Sequence, residues 1–152
     1  MEVHFYQLQS SPLPRVVADL SARCLEQGWR VNVVAPAASG QLDDALWAFD
    51  DQSFLPHGTD KYDRAASQPV LISEEQVSAN TPEALILTGL APVEPASLDD
   101  YKRVSILFEG SDPGQLSLAR QSWKAIVAAG AKAKYWSQET GKWEMKASSD
   151  AG

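Results

Sequence analysis

Chemistry near neutral pH needs a base, a nucleophile or a set of metal ligands, and this chain offers few of each. Its 152 residues include two histidines, His4 and His57, and one cysteine, Cys24. A zinc site needs several Cys or His at defined spacing, which these three scattered residues cannot supply. No Gly-x-Ser-x-Gly elbow raises a serine as nucleophile. His4 lies in a run of β-formers and reads as structural; His57 follows Pro56 in an aromatic loop, where an interface or turn role fits better than that of a general base. The acid pairs Asp43-Asp44, Asp50-Asp51, Glu74-Glu75 and Asp99-Asp100 are adjacent in sequence, so each pair points partly apart and reads as helix caps and solvated faces. Cys24 falls in a helical pattern and has no partner for an internal disulfide, which fits a buried small hydrophobe in a reducing cytoplasm. No catalytic residue, metal or cofactor is expected.

A dinucleotide site requires glycines after the first strand, so that the backbone can approach a pyrophosphate at a helix N-terminus. That turn reads Leu8-Gln9-Ser10-Ser11-Pro12-Leu13-Pro14, without a glycine, and its prolines remove donor N–H groups where phosphate would need them. Walker A spacing is absent as well. The net charge is −7 and the isoelectric point about 4.7. A globally acidic chain repels a phosphate backbone unless it carries a strong local patch, so direct DNA binding is not expected. It can still hold an acidic peptide at one basic spot.

Two stretches could supply contacts. In the segment 42–58, LDDALWAFDDQSFLPHG, a helix capped by Ser39 gives way to an apolar loop shaped by Pro56 and Gly58. Large rings are unusual in loops, so Trp47 and Phe54 read either as surface anchors or as packing residues. The second stretch is the last helix, from about residue 113 to 129. Stepping by 100° places Leu116, Ala119, Ser122, Trp123, Ile126 and Ala129 on one apolar arc, with Arg120, Lys124 and Val127 at its edge beside Trp123. A basic rim next to an aromatic surface suits a peptide with a hydrophobic end and a carboxylate. An ordinary amphipathic helix with solvated basic residues has the same spacing.

Strands are expected at 2–7, 30–35, 70–72, 84–88, 103–108 and 132–137, with a turn at 139–141 and a hairpin arm at 142–145. Helices fall after Pro12 and Pro14, ending at Gly28, and before Gly130. The reading is a single α/β domain over 1–146, a Rossmann-like three-layer sandwich with a mixed, mostly parallel sheet and a C-terminal hairpin, followed by a disordered tail at 147–152. No apolar run approaches the length needed to cross a membrane.

The segments LDDALWAFDDQSFLPHG, ARQSWKAIVAAG (119–130) and KYWSQETGKWE (134–144), within a match running from HFYQL to GKWE, resemble the chi subunit of bacterial DNA polymerase III holoenzyme. Leu-Asp-x-x-Leu-Trp followed by Ser-Phe-x-Pro-His is the more specific signature. The resemblance implies a non-catalytic clamp-loader accessory protein, cytoplasmic, with two partner surfaces. One meets the psi subunit or the clamp loader, and Leu46, Trp47, Phe54, Pro56 and His57 stand at it. The other holds the acidic, Phe-ending C-terminal tail of single-stranded DNA-binding protein, with Arg120, Trp123, Lys124 and Val127 at the matching positions. Where some relatives carry a further basic residue, this chain has Val127. The alternatives are a small Rossmann-like nucleotide-binding protein or enzyme, and single-strand binding through exposed tryptophans.

Overall fold

The computed structural model describes residues 2–9, 11–49, 57–59, 68–138 and 143–148, with side chains at 47–49 excepted. In chain order the elements are β1 (Glu2–Leu8), α1 (Leu13–Glu26), β2 (Val31–Val34), α2 (Ser39–Phe49), β3 (His57–Thr59), β4 (Val70–Ser73), β5 (Ala84–Thr88), a 3-10 turn (Pro95–Leu98), β6 (Arg103–Glu109), α3 (Pro113–Ala128), β7 (Lys132–Ser137) and β8 (Glu144–Ser148). The strands form one sheet in the order β3-β4-β2-β5-β6-β1-β7-β8. Every neighbouring pair is parallel except β7 with β8, which are antiparallel.

Burial on both faces explains why the inner strands read as unbroken apolar runs. Along β5, Leu85 and Leu87 face one core while Ala84 and Ile86 face the other. The first core joins Phe5, Ile106 and Phe108 to Ala119 and Ile126 of α3. The second joins Val31, Val33 and Leu107 to Val16 and Val17 of α1 and to Leu42 and Leu46 of α2. From β1 the chain crosses over β6 and β5 to reach β2, and from β6 it crosses over β1 in the opposite direction to reach β7. Crossovers of one hand running in opposite directions put their helices on opposite faces, which produces the three layers. Asn32, fully buried in β2, donates to Leu71 O (3.0 Å) and Ser73 Oγ (2.9 Å), and accepts from the Val77 N–H (3.1 Å). That network pins the loop after β4 to the middle of the sheet.

Four local expectations need correction. Residue 57 begins a short parallel edge strand rather than closing a loop; three residues are too few to show an alternation. Ser39 is the first residue of α2, not its side-chain cap, and its Oγ is buried without a hydrogen bond. Ala129, placed on the inward arc of the last helix, is exposed, because the helix ends at Ala128 and turns away through Gly130 (φ +87°). The C-terminal arm extends past residue 145 to Ser148, so Ala147 and Ser148 pair with β7 instead of belonging to a free tail. Residues 149–152 and the turn at 139–142 lie outside the described residues.

Candidate functional site

Helix α3 is built to hold one face inward and present the other. Asp112 caps it, its Oδ1 accepting from the N–H groups of Gly114 (2.9 Å) and Gln115 (3.1 Å), with Pro113 in the first turn where its missing N–H is harmless. At the far end Gly130 N–H donates to Val127 O, and Ala131 N–H to Ile126 O. Between these ends Ala119, Ser122 and Ile126 are buried, whereas Arg120, Lys124 and Val127 are exposed. Trp123 lies between the two sets. Half-buried, it meets Phe5 edge-on (centroids 5.4 Å, 64°) and Tyr135 edge-on (6.2 Å, 76°). Tyr135 in turn donates its hydroxyl to Gln7 Oε1. Sequence reading missed Phe5 and Tyr135 as supports of this surface. The alternation in KAKYWS carried the signal: Ala133 and Tyr135 are both on the α3 side, two residues apart.

The structure thus brings Arg120, Trp123, Lys124 and Val127 together on one exposed stripe, which also takes in half-buried Leu116. Neither Arg120 nor Lys124 has a carboxylate within ion-pairing distance among the described residues. Two like charges four residues apart on a helix cost about 0.2–0.5 kcal/mol. The fold therefore carries a pair of free cations beside a ring, an arrangement suited to a carboxylate and an aromatic group at once.

The other stretch behaves differently. Leu46, expected at a partner surface, is 7 % exposed and packs with Leu42 in the core shared by α1 and α2. His57, expected in the same surface, is 4 % exposed; its Nε2 lies 3.6 Å from Oδ1 and 3.4 Å from the main-chain oxygen of Asp43, itself 6 % exposed. Asp43 is accordingly no solvated acid, and the pair ties α2 to β3. Trp47 is in α2 with its side chain outside the described residues, and Phe54 and Pro56 lie outside them altogether.

The connections leave in opposite directions at the C-terminal ends of β2 and β5, where such a sheet opens its crevice; the cleft there, about 650 Å³, is lined by Pro14, Ala35, Pro36, Thr88 and Leu90 and by no Lys or Arg among the described residues. The C-terminal ends of β1, β6 and β7 are instead packed with amide side chains. Gln138 Oε1 accepts from the N–H groups of Gln9 and Ser11 (3.3 Å each), and its Nε2 donates to Ser11 Oγ (2.8 Å). A Cβ at Gly110 would come within 2.6 Å of the Gln7 amide. Burial pushes the Cys24 thiol above its usual pKa, away from thiolate reactivity. Among the described residues no group of three or more His, Cys, Asp or Glu could hold a metal ion, and no helix is long and apolar enough to cross a membrane.

The geometry defines a Rossmann-like α/β domain whose crevice carries no cation among the described residues and whose cations stand on an exposed helix surface. The chain belongs to the family of the DNA polymerase III chi subunit, HolC, whose model matches residues 1–134. Its role is that of an accessory subunit in DNA replication. No curated protein matches the chain.

Proposed function

We propose that the exposed stripe of α3 binds the acidic, Phe-ending C-terminal tail of single-stranded DNA-binding protein, and that the domain thereby links the clamp-loader complex to coated template without catalysing a reaction. The observation that carries this reading is the pair of free cations, Arg120 and Lys124, beside half-buried Trp123. The terminal carboxylate meets Lys124 or Arg120 and the terminal ring lies against Trp123, with Val127 and Leu116 extending the apolar floor. Psi or the clamp loader is met by Trp47, Phe54 and Pro56.

An adaptor of this kind works with two modest affinities, because tethering makes the second contact effectively intramolecular. Each charge-assisted bond contributes about 1.5–3 kcal/mol, so Lys124→Ala weakens tail binding by about tenfold or more. Titration of a labelled tail peptide against both proteins at two salt concentrations measures this. An unchanged dissociation constant in the variant would refute the site.

A further inference from the structure

On the sheet face away from α3, α1 turns Val16, Val17 and Cys24 toward a core with Val31, Ile86 and Leu107. Beyond it, toward β7 and β8, the same face carries rings and cations. By alternation against Phe5 and Tyr135, this side receives His4 and Tyr6 from β1 and Lys134 and Trp136 from β7. His4 stands near-parallel to both neighbours: 6.1 Å and 21° from Tyr6, 6.2 Å and 11° from Trp136. Trp136 donates its indole N–H to His4 Nδ1 (3.1 Å), which fixes both rings. Trp143 closes the row edge-on to Tyr6 (5.3 Å, 84°).

Two clefts, of about 370 and 280 Å³, run between α1 and this face and share Tyr6, Leu20 and Arg23. Arg103 lines the first; Trp136 and Trp143 line the second. Neither Arg23 nor Arg103 has a carboxylate within ion-pairing distance among the described residues, although Glu26 and Asp19 stand on the cleft walls. Lys134 is held by Glu2 at 3.0 Å. Both tryptophans remain partly exposed.

Partly exposed aromatic rings on a sheet face, flanked by guanidinium groups that form no ion pair among the described residues, with the Glu2 carboxylate near Arg103, suit stacked bases joined by phosphates. We propose that this face binds a short single strand of nucleic acid, with bases on Trp136 and Trp143 and phosphates at Arg23 and Arg103. The net charge of −7 confines the contact to this patch. With about two phosphates neutralised, affinity falls roughly sevenfold between 50 and 200 mM salt. The proposal stands apart from the α3 reading, which uses other residues on the opposite face.

Anisotropy of a labelled eight-nucleotide thymidine strand, titrated with the full chain at low salt, tests it. Binding is expected to be saturable, to weaken at least fivefold in Arg103→Gln and in Trp143→Leu, to be unchanged in Lys124→Ala, and to resist competition by duplex or by an acidic tail peptide. Circular dichroism and thermal melting confirm that each variant is folded, and Arg103→Gln serves alone if Trp143→Leu loosens the hairpin. No binding, binding indifferent to Arg103→Gln, or displacement by the acidic peptide, which would make this a peptide face, overturns the proposal.

Discussion

Helices α2 and α3 each carry part of a signature that reads, in sequence, as a partner surface, yet they orient it in opposite ways. In α3 the residues singled out remain at the surface: Arg120, Lys124 and Val127 are exposed and Trp123 half so, over an inner row of Ala119, Ser122 and Ile126. In α2 and the strand after it, Leu46, Asp43 and His57 are turned inward, where they join α2 to the second core and to β3. The same kind of motif thus contains two kinds of residue, those that could touch a partner and those that belong to the core.

The largest expected effect separates the two directly. Leu46→Ala removes a buried side chain from the core and is expected to cost about 2–5 kcal/mol of stability. Arg120→Ala touches only the exposed stripe and stays within about 0.5 kcal/mol of the parent. Denaturant unfolding of the two variants checks this. If Leu46→Ala were as stable as Arg120→Ala, the contrast between the helices would collapse.

Much of this division was legible beforehand. Leu46 is four residues from Leu42, on the same inward stripe, so helical spacing already marked it as core; the family signature drew attention to it as a contact instead. His57 was harder. Its burial depends on a three-residue edge strand and on Asp43, fourteen positions earlier, and no local pattern encodes either. The strands β2, β4, β5 and β6 announced themselves as apolar runs because both their faces are covered. The α3 stripe was visible because an amphipathic helix writes its faces into its spacing. Its supports from Phe5 and Tyr135 were not, since they come from two strands far apart in sequence.

A smaller effect concerns the face opposite α3. Burial is the main cause holding the His4 pKa below its usual 6.5, so the folded protein favours the neutral ring. The unfolded chain then binds more protons, and the stability this contributes is present above pH 6.5 and lost as pH falls below that value. Thermal unfolding between pH 7.5 and 5 is expected to show a decline that His4→Phe reduces. A decline of equal size in His4→Phe would assign it to other groups.

Whether Lys124 and Arg120 meet a terminal carboxylate on a bound tail is read by a double-mutant cycle. Tail peptides with a free or an amidated C-terminus are titrated against the parent, Arg120→Ala, Lys124→Ala and the double variant. Amidation is expected to weaken binding to the parent by about tenfold or more and to have much less effect on the double variant, a coupling of about 1.5 kcal/mol or more. Equal losses on amidation in all four proteins would mean that the carboxylate is held elsewhere, and the α3 stripe would not be the tail site.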